Sequence, residues 1–236
     1  MIANCGAILA SSIPAGIYST NLSEACHYIS SHSKCEVVVV DGNKQLQKYA
    51  AMTKPLPDLK VIVVYGEDVD MNIASKCSVP VHSWEEFLML GENVPESEVN
   101  ERSAVAKPGN CCTLIYTSGT TGPPKAVMLS HDNVTWTTTR MCEDYRLDLN
   151  HNERLVSFLP LSHIAAQLID IHVPMTLGAA TYFAQADALK GSLVNSIKDI
   201  RPTVFFGVPR VWEKIQEKMV QVRIISLYMF KINLFD

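Results

Sequence analysis

Ten consecutive residues, Tyr116-Thr117-Ser118-Gly119-Thr120-Thr121-Gly122-Pro123-Pro124-Lys125, concentrate the groups that could grip a polyphosphate. Gly119 and Gly122 let a backbone approach an anion closely and turn its N–H groups inward. The hydroxyls of Thr117, Ser118, Thr120 and Thr121 can donate to phosphate oxygens, and Lys125 adds a compact positive charge. Pro123 and Pro124 restrict the segment and lower the entropy lost when it closes on a ligand. A Ser/Thr/Gly cluster can equally be a hydroxyl-rich surface turn. What favours phosphate here is the order of parts: an apolar run Cys112 to Tyr116, two glycines, then a trailing lysine. The segment is not the P-loop NTPase signature, which needs Gly-Lys followed by Ser or Thr. Here Pro124 precedes Lys125 and Ala126 follows it.

The elements that must position this loop alternate in type. Glu36 to Val40 and Lys60 to Tyr65 are short β-branched runs that end at Asp41-Gly42 and at Gly66. Such runs suit strands covered on both faces. Asn43 to Met52 reads as a helix between them. Asn21, with Glu24 three positions on, predicts a capped helix through Ser30, and Ser83 with Glu86 repeats the pattern. The alternation is βαβ, hence an α/β fold with mainly parallel sheets flanked by helices. Further strands are expected at Leu155 to Leu159, Ala179 to Ala184 and Thr203 to Phe206. Pro209 opens a helix whose Val211, Trp212, Ile215, Met219 and Val222 read as a core-facing stripe. The apolar start, Met1 to Ala10, reads as a core helix feeding a core strand; it lacks the basic region of a signal peptide.

Composition narrows the function classes. With 236 residues, 47% of them hydrophobic, the chain can bury a sizeable core. A net charge of −4 with scattered Lys and Arg argues against nucleic-acid binding and against a polybasic membrane patch. Seven cysteines without C-x-x-C pairs point to a reducing, cytoplasmic setting. No apolar run approaches the ~18 residues of a membrane span, so any membrane contact would be peripheral.

The loop from Tyr116 to Lys125 resembles the signature loop of the adenylate-forming superfamily, which includes acyl-CoA synthetases. More narrowly, Leu129 to Trp136, Leu159 to Gln167, Ala179 to Gln185 and Gly207 to Lys214 are similar to the bubblegum-type long-chain-fatty-acid–CoA ligases. The early Gly16-Ile17-Tyr18 and Glu24 to Tyr28 fit as well. The resemblance runs from about residue 1 to Arg223 and implies a partial N-terminal domain of the adenylate-forming fold. On this reading residues 1–92 form an α/β subdomain incomplete at its start, and 93–110 a linker. Residues 111–223 form an incomplete phosphate-loop and acyl-pocket subdomain, and 224–236 a divergent tail.

The resemblance implies a two-step reaction. A fatty-acid carboxylate attacks the α-phosphorus of ATP to give acyl-adenylate and pyrophosphate, and the thiol of CoA then displaces AMP. It implies that Thr117, Ser118, Gly119, Thr120, Thr121, Gly122 and Lys125 hold the β- and γ-phosphates, with Thr121 at Mg2+. His163 falls where the family places a catalytic residue near the acyl carboxylate and adenylate; Gln167 lies in a region that shapes the acyl tunnel. A lone His among apolar residues is otherwise more often structural. Peripheral attachment to the endoplasmic reticulum membrane is the location such ligases suggest besides the cytoplasm.

Two departures stand out. Ala126 replaces the glycine usual at that position, which matters if the backbone there needs positive φ. No aromatic-Gly-x-Thr/Ser-Glu segment, the family's adenine and magnesium contact, follows Lys125, and the C-terminal domain with its catalytic lysine is missing too. The chain therefore reads as a fragment of a ligase, inactive alone. The competing readings are a non-catalytic nucleotide-binding or interaction isoform, and an adenylate-former for an aryl or amino acid. The segments around His163 and Phe183 weigh against the last.

Overall fold

The structure, a computed structural model, describes residues 1–117, 123–144 and 148–232, with side chains described as far as residue 221. Eight strands are found among these residues: β1 (Ala15–Gly16), β2 (Val37–Asp41), β3 (Val61–Tyr65), β4 (Val81–Ser83), β5 (Cys111–Thr117), β6 (Lys125–Ser130), β7 (Arg154–Ser157) and β8 (Ala180–Phe183). They form three small sheets, ordered β2-β3-β4, β1-β5-β6 and β7-β8. Every pairing is parallel except β5 with β6.

The valine runs build the first sheet as their composition predicts. Val37 to Asp41 pair in register with Val61 to Tyr65. Parallel strands need a crossover, and the Gly42–Ala50 helix begins it immediately after β2. Leu46 of that helix is fully buried and clusters with Cys26, Val38, Val40, Tyr49, Leu59, Ile62 and Val64. Gly42 lies at φ +72°, where a Cβ would run into the Glu67 carboxyl. Cover on both faces holds for β3, whose Ile62, Val63 and Val64 are all buried. It fails for β2, an edge strand with Val37 exposed.

Several expectations need correction. Ile2–Leu9 is a helix, but none of its residues is buried. It lies against the Glu96–Ala104 helix, where the Ser103 hydroxyl donates to Leu9 O at 2.5 Å. The second helix spans Ser23–His32; Leu22, not Asn21, is its N-cap and no side chain caps it. The capping box at Ser83 and Glu86 is present, with Glu86 N–H donating to Ser83 Oγ at 3.1 Å. Residues 203–206 contribute only a single bridge, Val204 to Leu155, rather than a strand. In the Pro209–Ile232 helix Val211 is buried and Ile215 packs beside it, whereas Trp212 and Met219 are exposed. The expected core stripe is thus confined to its first turns, and Val222 lies outside the described side chains. Among the described residues no helix is long and apolar enough to cross a membrane.

Candidate functional site

β5 carries the first expected phosphate residue and β6 the last. Their antiparallel register ends with Tyr116 opposite Ala126 and Thr117 opposite Lys125. Directly opposed residues hold their Cβ atoms about 5 Å apart, so the Thr117 hydroxyl and the Lys125 ammonium stem leave the sheet side by side. Both residues are exposed. Ser118, Gly119, Thr120, Thr121 and Gly122 lie outside the described residues.

Behind this end β5 is fixed. Cys112, Thr113, Ile115 and Tyr116 are buried. β1 pairs on one side, Ala15 with Leu114 and Gly16 with Ile115, and β6 on the other. The Thr113 hydroxyl donates to Pro14 O at 3.0 Å. Ala126 is in β6 and is not among the residues with positive φ. Its Cβ is therefore accommodated as in any strand.

His163 is exposed and ends the connection from β7. It is the N-cap of the short Ile164–Gln167 helix, its Nδ1 accepting the Ala165 N–H at 3.2 Å. That bond leaves Nε2 as the ring nitrogen free for a ligand. Gln167 is buried, and its amide donates to Leu161 O at 2.7 Å, closing the turn that holds His163. Among the described residues no hydrogen bond or ion pair joins His163 to Thr117 or Lys125, but β1 links their segments. A Cβ on Gly16 would lie 2.8 Å from Ser162 Cα, so only glycine lets the residue before His163 rest on β1.

Three features here went unread in the sequence. The first is that Gly16–Ser162 contact. The second is Asp170, in a π-helical turn over Leu168–His172 and only 4% exposed. Burial pushes its carboxyl up to about 6 against the pull of a Ser157 hydroxyl hydrogen bond. Its backbone carbonyl accepts from Thr181 Oγ at 2.9 Å, tying the turn to β8. An acid inside the apolar run Ala165 to Pro174 was the available signal. The third is an aromatic stack: Phe158 lies parallel to Phe205 at 5.4 Å, and Phe205 meets Trp212 edge-on at 5.1 Å. The Trp212 indole N–H donates to Gly207 O at 3.0 Å.

A cavity of about 350 Å³ lies elsewhere. It is lined by Ser11, Ile13, Asn110, Cys111 and His131 among others. Cys111 starts β5 and Thr117 ends it, so the cavity is about 20 Å from the Thr117–Lys125 pair. Among the described residues no group of three or more His, Cys, Asp or Glu is placed to hold a metal ion.

The whole arrangement matches known proteins. The model of the family described as AMP-binding enzyme matches residues 1–227. The long-chain-fatty-acid–CoA ligase ACSBG2 of Xenopus laevis is 50% identical over 225 residues, 94% of this chain and 30% of that protein. ACSBG1 of Bos taurus, a ligase of the same description, is 44% identical over 228 residues, 96% of this chain and 31% of its own. The chain thus spans about 30% of the length of the curated relatives it matches. Among solved structures, the A-PCP didomain of a carboxylic acid reductase from Segniliparus rugosus, in complex with AMP, superposes with a TM-score of 0.71. It is 22% identical, and the match covers 94% of this chain and 32% of that one. The N-terminal domain of FACL13 from Mycobacterium tuberculosis gives 0.64 at 17% identity, covering 90% and 47%. These likenesses show the fold, an α/β arrangement matching the N-terminal domain of adenylate-forming enzymes. On the match over residues 1–227, the chain belongs to the AMP-binding enzyme family.

Proposed function

We propose that this chain carries the triphosphate-gripping and acyl-carboxylate-positioning part of a long-chain-fatty-acid–CoA ligase. The single observation that carries the reading is the pairing of Thr117 with Lys125 at the open end of β5 and β6. Attack of a carboxylate on the α-phosphorus builds negative charge on the departing pyrophosphate. A fixed ammonium and hydroxyls aimed at the β- and γ-phosphates stabilise that charge where it develops. Thr117, Ser118, Gly119, Thr120, Thr121, Gly122 and Lys125 are the residues assigned to this task. Thr121 would be the residue of this chain that holds magnesium, and the ion would supply charge neutralisation to the triphosphate.

His163 is assigned to the acyl carboxylate through Nε2, the nitrogen its capping bond leaves free. Gln167 contributes by holding the turn. The long-chain fatty acid is the preferred acid because the relatives at 44–50% identity are described as ligases for it. CoA is the second substrate of that reaction, and the location is cytoplasmic or on the cytoplasmic face of the endoplasmic reticulum. The chain spans about 30% of the length of these relatives, so nucleotide binding is assigned to these 236 residues and turnover to the whole ligase.

Calorimetry with Mg·ATP on the purified chain, alongside a thioester assay with palmitate, ATP and CoA, tests the reading. Saturable nucleotide uptake without palmitoyl-CoA is expected. No uptake would remove the phosphate assignment, and palmitoyl-CoA formation would overturn the claim that turnover needs further residues.

A further inference from the structure

Tyr116 is the residue immediately before the Thr117–Lys125 pair, and its side chain is spent in an unexpected direction. It is 4% exposed, and its hydroxyl shares a 2.9 Å hydrogen bond with Nδ1 of His32, 84 residues away. The rings meet edge-on at 5.9 Å, and Tyr28 stacks on His32 at 5.4 Å. His32 is the last residue of the Ser23–His32 helix, so the three rings join the end of that helix to the end of β5.

A phenylalanine at 116 would fill the same ring volume. The hydroxyl must therefore be matched to a partner, because an unpaired buried phenol is costly. Burial also pushes the Tyr116 phenol above its usual value. Successive strand residues point to opposite faces. Holding the Tyr116 ring on the helix side consequently fixes the direction in which Thr117 leaves the strand. It also fixes Lys125, the cross-strand partner of Thr117.

We infer that His32 is a positioning residue, acting through the Tyr116 hydroxyl to hold Thr117 and Lys125 in the orientation that accepts phosphate. The inference rests on the phosphate reading of that pair. His32 touches no substrate; its effect is transmitted along one residue of β5. Tyr28 braces the imidazole from the neighbouring turn, an i, i+4 contact.

The test uses the full chain with Mg·tripolyphosphate as the probe, which needs no adenine contacts. Tyr116→Phe and His32→Ala should each weaken binding about fivefold, the worth of one ordinary hydrogen bond. The double variant should lose no more than either single change, because both remove the same interaction. His32→Asn, whose amide can still meet the phenol, should recover most of the affinity. Thermal unfolding of each variant separates this from a general loss of stability. Unchanged affinity in Tyr116→Phe and His32→Ala, or losses that simply add in the double variant, would overturn the positioning role while leaving the phosphate reading standing. Absence of binding by the unaltered chain would instead overturn the phosphate reading, and the positioning role with it.

Discussion

Thr117 and Lys125 are the final cross-strand pair of β5 and β6, seated directly beyond the buried Tyr116 and the partly covered Ala126. The seven residues between them leave and return to a strand end that is held by β1, by β6 and by the Ser23–His32 helix. A loop rooted this way keeps its hydroxyl and its ammonium together without relying on its own rigidity.

Removal of the Lys125 charge should therefore cost affinity rather than stability. Lys125→Ala is expected to weaken Mg·ATP binding by 10-fold or more, on the order of 1.5–3 kcal/mol for a hydrogen bond to a charged group. Its unfolding free energy from urea should stay within roughly 0.5 kcal/mol of the parent, since the residue is exposed. Calorimetry and urea denaturation on the same preparation read both; equal affinity would count against the assignment.

Ala126 should be neutral for phosphate binding. The residue sits in β6 without positive φ, so restoring glycine removes no strain. Ala126→Gly is expected to destabilise by about 0.5–1 kcal/mol through backbone entropy. A glycine variant that binds Mg·ATP more tightly would show that the Cβ obstructs the loop.

Gly16 and Ser162 make the opposite case. A side chain at 16 meets backbone, not a flexible tip. Gly16→Ala should cost about 1–3 kcal/mol, the usual penalty of overpacking, as β1 and the 161–163 turn move apart. An unchanged midpoint in urea would mean that the turn yields freely.

His163 can be divided into its two roles. His163→Ala loses the bond to the Ala165 N–H and should cost about 0.5–1 kcal/mol. His163→Asn should restore the cap and the stability. In a ligase-length relative carrying the equivalent changes, both should impair adenylation, measured by pyrophosphate exchange, because neither offers an imidazole Nε2. Full exchange activity with asparagine would reduce His163 to a cap.

Asp170 makes stability depend on pH. Its folded value, about 6, lies above the usual 3.8, so the folded chain holds this proton more tightly than the unfolded one. The associated stability is fully present below pH ~4 and is lost as pH rises towards 6, up to about 3 kcal/mol. Asp170→Asn cannot ionise. The stability difference between Asp170→Asn and the parent should therefore grow in the variant's favour between those pH values. A difference that is flat with pH would contradict the buried, proton-holding carboxyl.

The parts of the fold legible in the sequence were those in which one force dominates. The valine runs of β2 and β3 could only be strands, and Ser83 with Glu86 could only open a helix. Elsewhere local signals competed. Asn21 looked like a cap, yet the helix starts behind Leu22. The polar stretch expected as a linker contains the Glu96–Ala104 helix, which shows no apolar stripe because none of its residues is buried. β6 escaped notice since two of its apolar residues, the neighbours Val127 and Met128, are both exposed and break the alternation of a half-buried strand. Of the candidate site, only the residue types proposed for phosphate, Lys125 and the hydroxyls, were readable in the sequence. The supports were not: Gly16 on Ser162, His32 on Tyr116 and Asp170 with Ser157 join residues far apart in the chain, and pairings of that kind leave no local pattern.

The phosphate assignment is tested most directly by following backbone amide resonances of the chain while magnesium and tripolyphosphate are added. Saturable shifts centred on Thr117 and Lys125, fading towards Cys111 and His131, are expected. No saturable shifts, or shifts centred on the cavity that Cys111 and His131 line, would contradict it.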